Sequence, residues 1–384
     1  MEVSSASFAY PQHDGSTRAE LARRLMRAPS LESGFVLSTC LRIEVVVPDS
    51  ERRLEETLGQ LFGELGDEMR PQIRRGERAV VHFYRIAAGL ESPILGEREV
   101  LSQFRQALIE AEGSGQVSGI FARLIESAVG TGRQARELIP GSPHNSMAAV
   151  AAQVVGTVDR VAVLGAGIMA SAVVEGLLQL PAPPRVTVVA RHPEKVPEDL
   201  RIQAVPFQEA ERVLQAFPAV ISATSAKRRP IADDLLARIL AARKEPLLLV
   251  DMAMPPDFAL PEGASVRYLD IDDLARMADR RARSDQADAF VETAAATAYR
   301  QYRDHHEIGP LIGSLMDHAD AVVDEVVVRF AGKLVRSGDE GILRQAVHTV
   351  ARTLLARPVS YLKKEERSAE AIEVIADAFG VDDE

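Results

Sequence analysis

The stretch Val161-Ala-Val-Leu164-Gly165-Ala166-Gly167-Ile168-Met169-Ala170 decides the fold. Its first four residues form a continuous aliphatic run, the pattern of a strand covered on both faces. Two glycines one residue apart follow, with Ala166 between them, and the chain then takes up helical periodicity. A G-x-G-x-x-A spacing in that strand–turn–helix context is the fingerprint of a dinucleotide site. Gly165 permits the tight turn, Gly167 lets the backbone approach a pyrophosphate, and Ala170 allows the helix to pack closely on the strand. The helix N-terminus, at Ile168 and Met169, favours phosphate charge. Working outward, residues 186–189, 219–222 and 247–250 are further aliphatic runs, with helical segments such as 169–180 between them. Runs and crossovers in alternation predict a doubly wound, Rossmann-type α/β domain.

The next predicted strand identifies the nucleotide. A site for NAD(H) usually places Asp or Glu at this strand's end, against the ribose 2′-hydroxyl. Here the strand ends Ala190-Arg191-His192. A guanidinium at that place can pair with a 2′-phosphate, so NADPH is the expected cofactor, and a surface arginine is the other reading of Arg191. Ser222 and Thr224 end another predicted strand, where the crevice of this fold lies. They are cofactor candidates, and a plain turn is the other reading.

The chain has 384 residues, too many for one simple core, so two or three domains are expected. With 46% hydrophobic and 26% charged residues, it is composed as a folded protein. No run approaches the roughly 18 apolar residues of a membrane span, and the N-terminus shows no secretory pattern. A single cysteine, Cys40, excludes an intrachain disulfide framework and any multi-cysteine metal site. A cytoplasmic location is the expectation. The net charge of −11 argues against a nonspecific nucleic-acid coat, and leaves room for a local basic face.

Three modules are expected: residues 1–143, 144–283 and 284–384. The first mixes patterns. Residues 35–37 and 43–47 read as strands, and 51–65 and 97–112 as helices. It ends at the breaker-rich Ile139-Pro-Gly-Ser-Pro143. The last module is wholly helical. Leu315, Ala319, Val322, Val326, Phe330 and Leu334 step by three or four, and Val347, Val350, Leu354 and Leu355 form a second apolar stripe. With no sheet left to cover it, the first stripe predicts a homodimer.

Cys40 lies in Leu37-Ser38-Thr39-Cys40-Leu41-Arg42. A lone cysteine is usually a small buried hydrophobe. The alternative is a nucleophile, its thiolate fraction raised by the nearby cation Arg42.

Ser38-Thr39-Cys40-Leu41-Arg42 resembles the S-T-C-N-R nucleophile motif of glutamyl-tRNA reductases. His82 with Glu91-Ser92-Pro-Ile-Leu95-Gly96-Glu97 is similar to the block that follows it in that family. Val163-Leu-Gly-Ala-Gly167, Val220-Ile-Ser-Ala-Thr224, Leu249-Val-Asp251-Met-Ala253 and Leu269-Asp270-Ile-Asp272-Asp273-Leu274 resemble the family's later motifs, in the same order. The resemblance implies an α+β catalytic domain, a doubly wound Rossmann-type NADP domain and an all-helical dimerisation domain. It implies that Cys40 attacks the ester joining glutamate to its tRNA, and that NADPH reduces the thioester to glutamate-1-semialdehyde for tetrapyrrole synthesis. His82 is then a catalytic residue, as acid–base or polar binder. Thr39, Arg42, Ser92, Glu97 and Gln103 bind the aminoacyl group. The implied partners are the charged tRNA, a second copy of the chain, and an aminomutase that takes the aldehyde on.

The sequence departs from the family pattern in several places. Leu41 replaces an Asn, Glu99 a Gln, and Phe8-Ala-Tyr-Pro-Gln-His13 lacks the usual N-terminal pattern. The segment 138–145 keeps little of the family's sequence. A divergent paralogue acting on another aminoacyl-tRNA therefore remains open, as does a non-catalytic tRNA- or partner-binding relative. Three basic clusters are candidates for RNA phosphate: Arg70, Arg74, Arg75, Arg78 and Arg85; Lys227, Arg228 and Arg229; and Arg276, Arg280, Arg281 and Arg283. No metal-binding spacing is seen.

Overall fold

The computed structural model describes residues 2–48, 51–139, 146–156, 158–197, 199–226, 228–278, 284–331, 339–363 and 369–379. The breaker residues 140–145, together with Lys227, Arg280, Arg281, Arg283 and Leu334, lie outside them. The chain falls into two compact units, residues 2–299 and 300–384.

The first unit opens with β1 (Val3–Ala9), α1 (Gly15–Leu25), β2 (Phe35–Ser38), β3 (Arg42–Pro48), α2 (Glu51–Phe62) and β4 (Gln72–Arg75). The four strands make an antiparallel sheet in the order β2-β3-β1-β4. Strand alternation divides its residues between two faces. Ala6, Phe8, Ile43, Val45 and Val47 share a core with Leu21, Leu54 and Leu58 of α1 and α2. Ser5, Ser7, Arg42 and Glu44 alternate with them and are also buried, so the second face is closed too and mixes these polar groups with Val46, Phe35 and Leu37. Helices α3 (Glu77–Ala87), α4 (Arg98–Gly113) and α5 (Gly119–Glu137) follow. Capping is local: the side chain of Asp14 accepts from the amide of Thr17 at the start of α1.

The unit continues through α6 (Met147–Val154), β5 (Arg160–Leu164), α7 (Ile168–Leu178), β6 (Arg185–Ala190), β7 (Ile202–Pro206), α8 (Ala210–Ala216), β8 (Ala219–Ser222), α9 (Asp233–Ala242), β9 (Leu248–Asp251), β10 (Arg267–Leu269) and α10 (Ile271–Met277). All six strands are parallel, in the order β10-β9-β8-β5-β6-β7. The order reverses between β5 and β8, so the crevice beyond their carboxyl ends is the ligand position of a doubly wound sheet. The aliphatic runs read from the sequence are β5, β6, β8 and β9. Both faces of the sheet are covered, by one core through Val161, Val163 and Leu177 and another through Ala162, Leu164 and Leu249. The first of these cores also takes in Leu41 and Ile94 from the cysteine-bearing region, with Cys40 and Tyr10 packed against it.

Helix α11 (Asp285–Ala331) starts in the first unit. The second unit holds its remainder with α12 (Asp339–Leu362) and α13 (Ala369–Ala378). Ile308, Leu311, Leu315 and Leu362 form its core, with Ile372 and Ile375 packed against them. Of the expected stripe, Leu315 lies in this core, whereas Val322 and Phe330 do not. Val323 and Val327 are buried, while Val322 and Phe330 are more than 40% exposed. The helix carries two apolar faces, and α12 and α13 cover only one. Val350 and Leu354 are exposed as well. No helix among the described residues is long and apolar enough to cross a membrane.

Candidate active site

A cavity of about 460 Å³ opens at the carboxyl ends of β5, β6 and β8. Gly165, Ala166, Gly167, Arg191 and Thr224 line it, as do His192 and Lys195. Gly165 adopts φ +112°, and a Cβ there would meet the carbonyl oxygen of Ala223 at 2.7 Å. Only glycine serves at that turn. Gly167 caps α7, and a Cβ on it would meet no atom within 4 Å. That bare backbone leaves the room a pyrophosphate takes at a helix N-terminus, so the residues present fit a dinucleotide. Ala170 is buried in the core, Met169 packs against it, and Ile168 is exposed outside this cavity.

Thr224 is held from below. Its hydroxyl donates to Asp257 at 2.8 Å, and that of Ser222 donates to the other Asp257 oxygen at 2.6 Å. Ser222 is fully buried and does not line the cavity. Asp251 accepts from the amides of Ala253, Asp257 and Phe258 and from the Tyr268 hydroxyl. Burial and the neighbouring charge of Asp257 push Asp251 up to about 7.

Cys40 sits in the turn between β2 and β3. The amide of Thr39 donates to the carbonyl oxygen of Arg42 at 2.8 Å, and Thr39 Oγ1 accepts from the amide of Leu41 at 3.3 Å. The thiol is half-buried. Burial, then the charge of Glu97, push it up to about 12; Arg18 and Arg42 pull the other way. The expected effect of Arg42 is therefore outweighed. Its guanidinium faces Glu44 Oε1 at 3.4 Å and donates to the carbonyl oxygen of Glu91. Arg18 exerts the larger downward pull of the two. It is fully buried and pairs with Asp272 at the start of α10 while donating to the carbonyl oxygen of His13.

His82 of α3 is 6% exposed. Its Nε2 lies 3.4 Å from Glu44 Oε1, without a hydrogen-bond partner among the described residues. Glu44 also accepts from Ser7 at 2.8 Å. Ser7, Arg42, Glu44 and His82 thus form one buried polar cluster beside the Cys40 turn. Glu97 caps α4 and is 3% exposed, with Oε1 3.4 Å from the amide of Met147. Burial first, then the charge of Glu99, push it up to about 7. Glu99, the acid in place of a family amide, thus acts directly on Glu97. Ser92 is half-buried in the loop after α3. Gln103 lines a different recess, of about 740 Å³, with Ser38 and Ile168.

Sequence reasoning missed Glu44, Arg18 and Lys195. A signal for Glu44 was present: an acid inside an aliphatic strand, two residues from Arg42, shares that arginine's face. Lys195 follows Arg191 by four residues and lines the same cavity. Arg18 carries no local signal. Among the described residues, no group of three or more His, Cys, Asp or Glu is placed to hold a metal ion.

A dinucleotide-binding doubly wound module packed against a cysteine-bearing α+β module defines a two-module oxidoreductase with a nicotinamide-type site. Residues 6–138 match the model described as glutamyl-tRNAGlu reductase, N-terminal domain. Residues 149–277 match that of shikimate/quinate 5-dehydrogenase, and 286–381 the glutamyl-tRNAGlu reductase dimerisation domain. The glutamyl-tRNA reductase of Herpetosiphon aurantiacus is 30% identical, with 95% of this chain and 93% of that one covered. That of Priestia megaterium is 26% identical over 95% of this chain and 88% of its own. A solved glutamyl-tRNA reductase from Methanopyrus kandleri aligns over 98% of this chain and 97% of that one, at 24% identity and a TM-score of 0.45. The chain belongs to the glutamyl-tRNA reductase family.

Proposed function

We propose that the protein reduces the glutamyl ester of charged tRNA to glutamate-1-semialdehyde, with NADPH as reductant and Cys40 as nucleophile. The observation that carries this reading is the shared core: Leu41 and Ile94, beside the nucleophile, pack with Ala170, Ala223 and Met252 of the nucleotide module. The Cys40 turn and the nucleotide module thus share one apolar core.

Cys40 Sγ loses its proton and bonds to the ester carbonyl carbon. The carbon–oxygen bond to the tRNA 3′-terminal ribose breaks, and that oxygen leaves with a proton. A thioester on Cys40 remains, more easily reduced than the ester it replaced. When bound, NADPH would supply the hydride that reduces this thioester; the aldehyde leaves and Cys40 Sγ takes up a proton. Gly165, Ala166, Gly167 and Thr224 would hold its phosphates and ribose. Arg42 and His82, with Thr39, Ser92, Glu97 and Gln103, hold the aminoacyl group. Glu97, which burial and Glu99 push up to about 7, is a group suited to move a proton there. The modules 1–143, 144–283 and 284–384 serve as catalytic, nucleotide and dimerising parts of a cytoplasmic homodimer. An aminomutase is the enzyme class that takes the aldehyde on.

Two expectations test this. Charged tRNA without NADPH leaves a covalent adduct on Cys40, whose intact mass names the amino acid. A glutamyl mass supports the proposal. A second reading rests on Leu41, buried where the family has an amide, and a different aminoacyl mass would select it. No adduct, with no ester hydrolysis either, sinks both. For the cofactor, Arg191→Asp is expected to lower the preference for NADPH over NADH by about 10- to 100-fold, the worth of a charge-assisted bond to a 2′-phosphate. Steady-state kinetics with both nucleotides reads it, and unchanged discrimination rejects the assignment of Arg191.

A further inference from the structure

The face of α3 that carries His82 also carries Arg78, Val81 and Arg85, spaced three and four residues apart along one helical stripe. Opposite lies β4, the edge strand of the sheet, with Ile73, Arg74 and Arg75. Between them runs an open trough of about 690 Å³. Its far end is neutralised: Arg85 is paired with Glu91 at 2.6 Å and with Asp288 at 2.5 Å. The near end is not. Arg78 is exposed and forms no ion pair among the described residues. Arg74 donates to Gln72 at 2.9 Å, and its Nη1 is shielded from solvent without a hydrogen-bond partner. At the floor is His82 Nε2, buried and equally unpartnered. A protein with a net charge of −11 has no general attraction for a polyanion, so a cationic trough ending on an orphaned buried imidazole marks a specific place for one.

The trough also adjoins the buried polar cluster next to the Cys40 turn. His82 adjoins Glu44, Glu44 faces Arg42, and Arg42 donates to the carbonyl oxygen of Glu91, which lines the trough. Arg42 is two residues from Cys40. We propose that this trough holds backbone phosphates of the single-stranded 3′ end of the RNA substrate, with Arg74 and Arg78 contacting phosphate and His82 at the aminoacyl end. The inference rests on the aminoacyl-RNA reading above, and it selects one basic cluster of the three. Around a second recess, Arg23 is paired with Glu20 and Arg229 with Asp233, at the surface between α1 and the loop after β8. Arginine suits the role because its planar fork bonds two phosphate oxygens at once.

The test uses the full chain and a fluorescein-labelled RNA minihelix ending in single-stranded CCA, read by anisotropy across a series of KCl concentrations. For single strands each phosphate contact contributes roughly 0.7 to the slope of log affinity against log salt. Arg74→Gln/Arg78→Gln is expected to flatten that slope by about 1.4 and to weaken binding at least about tenfold at low salt. Arg74→Lys/Arg78→Lys is expected to recover the slope, since lysine still neutralises a phosphate. An NADPH fluorescence titration reports that the nucleotide module of each variant is folded. Arg23→Gln/Arg229→Gln, on the other surface, is the comparison and should keep the wild-type slope. The proposal is overturned by an unchanged slope in the glutamine variant, by equal loss in the comparison variant, or by absence of salt-dependent binding in the wild type. The probe carries no amino acid. A chain that binds it through Arg74 and Arg78 yet reduces no aminoacyl ester would refute the proposed reaction and leave this site standing.

Discussion

Cys40→Ser is expected to abolish aldehyde formation, by more than about 10³-fold, the scale on which loss of a covalent nucleophile acts. The substitution keeps size and polarity and disturbs neither the Thr39–Arg42 turn nor the core around Leu41. What it removes is a soft thiolate, replaced by a hydroxyl that is almost never ionised at neutral pH. The free protein holds the thiol protonated, because burial and Glu97 push it up to about 12. Its proton must therefore leave as the ester arrives, and the downward pulls of Arg18 and Arg42 favour that step. A coupled assay for the aldehyde, run with fluorescence titration of NADPH, separates lost chemistry from lost binding. Aldehyde formation at the wild-type rate by the serine variant would remove the covalent mechanism altogether.

The second large effect concerns stability. Arg18→Met leaves Asp272 buried without its cation, and breaking a buried pair from one side costs about 3–5 kcal/mol. The guanidinium also holds the carbonyl oxygen of His13, in the segment next to Tyr10, whose amide donates to Leu41. Chemical denaturation of the variant should show a fall of that size. Arg18→Met combined with Asp272→Leu should regain much of it, since an apolar pair of similar volume is often neutral or better than a buried ion pair. A single variant that loses less than about 1 kcal/mol would mean that the pair is as weak as an exposed one.

Legibility in the sequence followed the physics of burial. Strands β5, β6, β8 and β9 were readable because a parallel sheet covered on both faces demands unbroken aliphatic runs. Strand β1 was not. It reads Val-Ser-Ser-Ala-Ser-Phe-Ala, and its serines look like a loop until Ser7 is seen to donate to a buried Glu44. Strand β4 escaped for the opposite reason: as an edge strand it is polar and exposed, and arginines line it. In the site, Cys40, Arg42 and His82 stood out through their neighbours. Arg18 had no such help, since its partner Asp272 lies on a distant helix that only folding brings near. The stripe on α11 was legible as apolar, but periodicity finds apolar faces without saying which neighbour each one meets.

The packing of Leu41 and Ile94 into the core of the nucleotide module has a thermodynamic meaning beyond proximity. A core shared by two modules couples their stabilities, so the Cys40 turn and the nucleotide module keep or lose that packing together. Any nucleotide that binds at Gly165 and Gly167 then adds its binding free energy to the stability of the Cys40 turn as well. Saturation with cofactor at a hundred times its dissociation constant is worth about 2.7 kcal/mol. On the reaction proposed above, a bound nucleotide would steady the Cys40 turn before the ester reaches it.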